Sequence, residues 1–234
     1  HMDETSGTAV GDSTGNGWDG TANSRVVLNA AGQVNGADSY PDGVQGYTKL
    51  DKTGAIVPVG NSPFTFESWL HVEPNSNYDR VFAQAVSGRH LQVIRHGGIV
   101  QVGRSDGSSV DCPLKGAATV PANRSWFHFV WVFNGSSDTL YINGKPNSTS
   151  TTPHQGAQVS SLGENYIGAR DSSNFPFGGK LDEMRISSTA RSAAWVDAQY
   201  ASMSGTFVGI GDEQENAPPA IENALDRIDP AATG

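Results

Sequence analysis

Three short polar segments carry side chains suited to holding a sugar. Tyr78 and Arg80 follow a polar loop, Arg89, His90, Arg95 and His96 gather around an expected hairpin, and Arg170, Asp171, Asn174 and Phe175 share one loop. A sugar ring is recognised by an aromatic face against its C–H groups and by planar hydrogen-bonding groups against its hydroxyls, and these segments supply both. Ordinary solvated loops use the same residue types, so the segments count only if the fold brings them together. A competing location is an open sheet face. Along Phe64–Val72, alternation puts Thr65, Glu67, Trp69 and His71 on one side, and Trp126–Phe133 is apolar on both.

Cleaving a sugar needs a different arrangement. Glycoside hydrolysis uses two carboxyl groups that face each other across the scissile bond. The nearest acidic cluster here is Asp182-Glu183. Adjacent residues on a strand point to opposite faces, so this pair is split. The histidines are scattered, at 71, 90, 96, 128 and 154 besides His1. Cys112 is the only cysteine, so no internal disulfide is possible, and it reads as a small buried hydrophobe. A catalytic thiol would need a positioned histidine that the sequence does not show. The residues therefore point to binding without turnover.

The elements that must carry these side chains are short strands. Runs at 25–29, 46–50, 80–85, 90–95, 98–104, 139–143, 165–169 and 206–211, with Phe64–Val72, Trp126–Phe133 and Gly179–Ser187, are separated by turn residues at the spacing of a sandwich. Asn143-Gly144 between Leu140-Tyr-Ile and Lys145 predicts a type I′ hairpin. One helix is expected: Ser192 can cap 193–203, where Val196, Tyr200 and Met203 form an apolar stripe.

Composition agrees. The chain has 234 residues, enough for one all-β domain with a sizeable core. Its 28 glycines and only 17% charged residues suit a secreted, turn-rich protein. A net charge of −9 with no basic run excludes the electrostatics of nucleic-acid binding. No apolar run reaches the roughly 18 residues of a membrane span. His1-Met2 reads as a cloning scar, 3–212 as the domain, and 213–234 as a linker or tail toward further domains of a parent chain. The alternative for the tail is a short docked helix through Ile221, Leu225 and Ile228.

The order of the segments carries a resemblance. Asp3-Glu-Thr-Ser-Gly and Asp12-Ser-Thr-Gly-Asn-Gly are followed by Phe64-Thr-Phe-Glu-Ser-Trp-Leu and Trp126-Phe-His-Phe-Val. Then come Leu140-Tyr-Ile-Asn-Gly, Tyr166-Ile-Gly and Phe177-Gly-Gly-Lys-Leu-Asp-Glu-Met-Arg-Ile-Ser. This set resembles the laminin-G-like, concanavalin A-like lectin/glucanase superfamily in its bacterial jelly-roll form. The resemblance implies an all-β fold: a two-sheet antiparallel β-sandwich with one short C-terminal helix. It implies a structural calcium between the N-terminal loop and the last long strand, which falls here on Asp12, Asn16, Asp19 and Asp182. The loop is not an EF-hand, since Thr14 and Asn23 replace needed ligands. Asx turns for Asp12 and Asn16, and an ion pair for Asp182, are the alternatives. The Glu-x-Asp-x-x-Glu set of laminarinase-type relatives is missing, as is the alginate-lyase constellation. The implied function is a non-catalytic, lectin-like domain of a larger secreted or surface bacterial protein, binding oligo- or polysaccharide. An adhesion, protein-interaction or spacer domain is the alternative, and a hydrolase or lyase the third.

Overall fold

The computed structural model describes residues 2–58, 60–73, 78–86, 89–104, 114–116, 119–120, 124–151 and 163–205. Within them lie β1 (Ala9–Val10), β2 (Gly20–Ala22), β3 (Val27–Ala31), β4 (Gly36–Tyr40), β5 (Thr48–Leu50), β6 (Phe64–Val72), β7 (Tyr78–Val86) and β8 (Arg89–His96). These are followed by β9 (Ile99–Arg104), β10 (Leu114–Lys115), β11 (Trp126–Phe133), β12 (Asp138–Ile142), β13 (Lys145–Ser150), β14 (Glu164–Ile167), β15 (Gly179–Ser187) and the helix α1 (Ala193–Met203). Two antiparallel sheets result. One has eight strands in the order β1-β2-β5-β14-β7-β8-β9-β10, the other seven in the order β13-β12-β11-β6-β15-β4-β3.

Alternation builds the core. Phe64, Phe66, Leu70 and Val72 of β6 and Phe127, Phe129, Trp131 and Phe133 of β11 face inward, against Phe82, Leu91, Val93, Val100 and Val102 of the other sheet. Phe66 and Phe82 meet across the layers with ring centroids 5.9 Å apart. The indole N–H of Trp131 donates to Asp138 Oδ1 at 2.7 Å, so this buried aromatic leaves no polar group unmet.

The helix forms where its cap predicts. Ser192 Oγ accepts the Trp195 N–H at 3.2 Å. Its stripe packs on the outer face of the seven-stranded sheet, where Val196 is fully buried against Val130, Val132 and Tyr141. Burial of such a side chain contributes about 1.5–3 kcal/mol. The Asn143-Gly144 turn has φ of 49° and 77°, as a type I′ hairpin requires. A Cβ on Gly144 would sit 3.1 Å from Tyr200 Cβ, so the same glycine also seats the helix.

Some expectations shift. The runs at 25–29 and 46–50 begin later, as β3 and β5; β13 is the second strand of the expected hairpin, and β1, β2, β4 and β10 were not expected. β4 is poor in strand formers, yet it pairs with both β3 and β15 and is almost wholly buried; its place in the sheet overrides its propensity. The alternation that splits Asp182 from Glu183 also fails. A bulge between Asp182 and Arg185 shifts the register, and Glu183 takes φ of 49°, with its carboxylate on the Arg185 guanidinium. The run at 206–211, the tail at 213–234, Cys112 and His154 lie outside the described residues. No helix among the described residues is long and apolar enough to cross a membrane.

Candidate functional site

α1 covers part of the outer face of the seven-stranded sheet, and several of the candidate residues fall on or beside the outer face of the eight-stranded sheet. Core-facing Leu50, Ile167, Phe82, Leu91 and Val93 fix which residues face outward: Lys49, Tyr166, Ala83 and Gln92 lie side by side in register. Ile94, two residues beyond Gln92, brings Arg80 opposite it onto the same face.

The loop after β14 folds against this face. Asp171 Oδ1 accepts from Ser173 N at 2.8 Å and from Asn174 Nδ2 at 2.9 Å, and its Oδ2 accepts from Arg170 Nε at 2.9 Å. Gln45 Nε2 donates to the Asp171 carbonyl at 2.9 Å. Burial pushes the Asp171 carboxyl up, but these donors outweigh it and hold it below the usual range. The tied loop presents Phe175. Its ring lies between two guanidinium groups, with Arg80 Cζ 4.9 Å and Arg170 Cζ 4.7 Å from the centroid. It is 37% exposed, and with Val27 one of two exposed large hydrophobic side chains among the described residues. Its φ of 53° is rare for a bulky residue and costs about 1–2 kcal/mol.

Beside it stand Tyr47 and Tyr166, edge to face at 5.7 Å. Tyr166 Oη donates to Glu164 Oε2 at 2.6 Å, and Lys49 Nζ lies 2.5 Å from Glu164 Oε1. These two donors hold the Glu164 carboxyl low, while burial and then Glu164 push the Tyr166 hydroxyl up. The Lys49 and Glu164 side chains are 42% and 45% exposed. Tyr166, Ala83, Gln92 and Arg80 are themselves buried, so what reaches solvent is the margin of this face: Phe175, the half-buried Tyr47, and the ionised, pre-oriented Lys49–Glu164 pair. Tyr47, Lys49, Glu164 and Tyr166 were not among the candidate ligands, because only the pairing of β14 with β5 brings Lys49 beside Glu164 and Tyr166.

Of the candidate residues, Arg80, Arg170, Asp171, Asn174 and Phe175 come together here. The histidine and arginine cluster does not. Arg89 and His90 lie at the turn end of the β7–β8 pair, while Arg95 and His96 lie at its far end, where His96 pairs with Tyr78. Five residues of strand separate His90 from Arg95, about 17 Å. His96 is exposed. Arg95 points into the core, whereas Arg80, equally buried at 3% exposure, lies on the outer side against the Phe175 ring. Alternation from Leu91 and Val93 turns Arg95 inward, where it is 4% exposed and its Nη1 is 3.1 Å from Asp79 Oδ2. Burial raises the Asp79 carboxyl to about 6 against the opposing pull of Arg95.

The expected calcium ligands also separate. Asp12 Oδ1 accepts from Thr14 N at 2.9 Å and from Thr14 Oγ1 at 2.6 Å, and its Oδ2 from Trp18 N at 3.1 Å. Asn16 Nδ2 donates to Thr14 Oγ1 at 2.8 Å, and Asp19 Oδ1 accepts the Asp12 N–H at 2.7 Å. This is a self-satisfied Asx turn. Asp182 lies with other acids. Its Oδ2 accepts from Gln33 N at 2.9 Å and Val34 N at 2.8 Å. Its Oδ1, both Asp38 carboxylate oxygens and Glu4 Oε2 are buried without a hydrogen-bond partner among the described residues. Burial, then the charges of Glu4 and Asp182, push Asp38 up to about 7. A neutral oxygen lies close by: a Cβ on Gly32 would meet both the Gly36 carbonyl oxygen and, at 2.8 Å, Asp182 Oδ2. Among the described residues no three His, Cys, Asp or Glu side chains converge to cage a metal by themselves. Calcium, which accepts carbonyl oxygens, fits this mixed set better than the Asp12 loop.

A family model for the concanavalin A-like lectin/glucanases superfamily matches residues 42–197, well over half of the chain. The chain belongs to this superfamily. No curated protein sequence matches it. Among solved structures, the concanavalin A-like chain is similar to the binding domain of Paraclostridial Mosquitocidal Protein 1, at TM-score 0.67 and 16% identity over 82% of this chain and 49% of that one. It is similar to domain 4 of AbnA, a GH43 extracellular arabinanase from Geobacillus stearothermophilus in complex with arabinotriose, at TM-score 0.65 and 20% identity over 80% of this chain and 90% of that one. The botulinum neurotoxin serotype D binding domain gives TM-score 0.61 and 12% identity over 86% of this chain and 49% of that one. The chain thus spans about half the length of the two toxin domains. At these identities the likeness shows the fold.

In this concanavalin A-like sandwich the helix-covered face is not an open platform. Trp69 is buried, and its Nε1–H donates to Met203 Sδ at 3.3 Å. Beneath the helix, Glu67 Oε2 is 3.4 Å from His128 Nε2 and Oε1 is 3.6 Å from Arg185 Nη1. His71 is half-buried, edge-on to Trp126 at 5.3 Å, and burial followed by Lys180 lowers its pKa.

Proposed function

We propose that this domain binds oligo- or polysaccharide without cleaving it, on the outer face of its eight-stranded sheet, within a larger secreted or surface protein. The observation that carries the reading is Phe175, held exposed between Arg80 and Arg170 in a loop whose Asp171 and Asn174 are already oriented. A fixed aromatic with planar polar neighbours is what a pyranose or furanose ring needs. Structures of the same fold include one in complex with arabinotriose and a botulinum neurotoxin type C whose cell entry is dependent upon interaction with two ganglioside molecules. One further point supports binding over hydrolysis. A glycosidase keeps one carboxyl protonated as its acid. Here Glu164 and Asp171 are both held below the usual carboxylate range by their donors.

A structural calcium belongs to the same proposal, with its ligands moved. Asp182, Asp38 and Glu4, with the Gly36 carbonyl oxygen, would hold it, tying the N-terminal segment to β4 and β15. Bound calcium would neutralise carboxylates that otherwise repel one another in a buried place.

A glycan array with calcium present tests the reading. Binding to a defined glycan class, lost in Phe175→Ala, is the expected result. No binding to any glycan would favour an adhesion or spacer role. Release of reducing ends or unsaturated products by clean protein would overturn the non-catalytic part.

A further inference from the structure

A second, separate opening lies between the sheets. β15 is paired on both sides over Gly179–Leu181, but it runs on to Ser187 with β6 alone. Along that half a cleft of about 600 Å³ opens, with Met184, Arg185 and Ile186 on one wall and the segment around Val10 and Asp12 on the other. This volume falls within the roughly 300–1,000 Å³ of small-molecule sites. Its floor is apolar: Leu50, Ile56, Phe82, Ile167, Met184 and Ile186. Ser13, Thr14, Asn16, Thr65 and Ser187 add polar groups at the same cleft, which suits a ligand with both an apolar and a polar part.

The charged groups at the cleft can be sorted by what they already hold. Asp12 has both oxygens engaged by Thr14 and Trp18. Glu67 is shared between His128 and Arg185, and Arg185 also holds Glu183. Arg191 differs. Its guanidinium lies 4.6 Å over the Trp195 ring, its main-chain N–H donates to Thr65 Oγ1 at 3.0 Å, and its buried Nε makes no hydrogen bond among the described residues. The side chain is half-buried, so its charge keeps some solvent, but the buried Nε–H is a donor with no acceptor, and an anionic acceptor at this guanidinium would satisfy it.

We propose that the cleft binds a small amphiphilic carboxylate, its apolar body against Ile56, Phe82, Ile167 and Ile186 and its carboxylate on Arg191. This site is independent of the sugar face.

The test titrates the whole protein with octanoate and with octan-1-ol, followed by calorimetry and by the fluorescence of Trp18 and Trp195 at the cleft. Saturable binding of octanoate about tenfold tighter than octan-1-ol is expected, because only the acid can form the charge-assisted pair. Arg191→Gln should weaken octanoate about tenfold and leave octan-1-ol unchanged. Ile56→Trp, a loop substitution that fills the cleft, should abolish both while glycan binding persists. Phe175→Ala should bind octanoate normally. Equal affinity for acid and alcohol, no saturable binding, or a folded Arg191→Gln that binds octanoate as the parent does would each overturn the proposal. If Arg191→Gln does not fold, the acid-against-alcohol comparison on the unaltered protein decides alone.

Discussion

The ring of Tyr200 lies stacked on that of Trp69, with centroids 5.7 Å apart and planes 28° apart. The helix therefore closes over the sheet face where an open tryptophan would otherwise serve as a sugar platform. Trp69→Ala should cost on the order of 3–5 kcal/mol in urea unfolding, as removal of a buried aromatic does. Glycan affinity per folded molecule should stay unchanged. A Trp69→Ala protein of full stability that no longer binds would move the site to this sheet.

Phe175 separates binding from stability. Phe175→Ala should reduce glycan affinity about tenfold or more by removing the aromatic contact. Phe175→Gly should lose binding equally yet be more stable than Phe175→Ala by about 1 kcal/mol, since glycine accepts the positive φ without strain. Thermal melts of the two variants check the order, and the reverse order would mean that the loop relaxes to a different backbone.

Arg95 should behave as a core residue. Arg95→Ala leaves Asp79 buried and uncompensated, so it should cost about 3–5 kcal/mol. Removing both charges in Arg95→Ala with Asp79→Ala should recover part of that loss. Chemical denaturation of the single and double variants measures it, and an Arg95→Ala domain as stable as the parent would contradict the buried pair.

Calcium and pH should act in opposite senses. In EDTA, the Asp38 carboxyl of the folded protein is raised from 3.8 to about 7, so between those values the folded state keeps a proton that the unfolded state has lost. Stability is then full below pH 4 and falls as pH rises toward 7, by a few kcal/mol at most. Calcium needs the ionised carboxylate, so the rise in melting temperature that it brings should grow over the same range. Asp38→Asn should flatten the EDTA slope, and Asp12→Ala should leave the calcium response intact. Identical melting in EDTA and calcium at pH 8 would count against the site.

Much of this was readable from residue order. Alternation in Phe64–Val72 and Trp126–Phe133 located the centre of one sheet, the Ser192 cap and the Val196, Tyr200 and Met203 stripe gave the helix, and Asn143-Gly144 gave its hairpin. Arg95 could have been placed inward by continuing the alternation of Leu91 and Val93; its charge argued the other way. Other features had no local signal. Glu4 and Asp38 meet Asp182 only through β4–β15 pairing, and Lys49, Glu164 and Tyr166 share a face only through β5–β14 pairing. The bulge that puts Glu183 on Arg185 cancels the period-two rule in the very motif where it was applied.

The central position of β15 in the seven-stranded sheet sets an order of events during synthesis. β15 fits between β6 and β4, and its contact from Ser68 Oγ to the Asp182 carbonyl spans 114 residues. The hairpins β7–β8–β9 and β11–β12–β13 can form locally and early, on the microsecond scale of such units. The sheet centre must wait until Gly179–Ser187 has left the ribosome. Until then β6 and β4 each expose an unpaired edge beside large apolar side chains, the kind of edge that invites pairing with other chains. Slow, non-local closure by β15 makes the nascent chain the stage at which this domain is most exposed to aggregation.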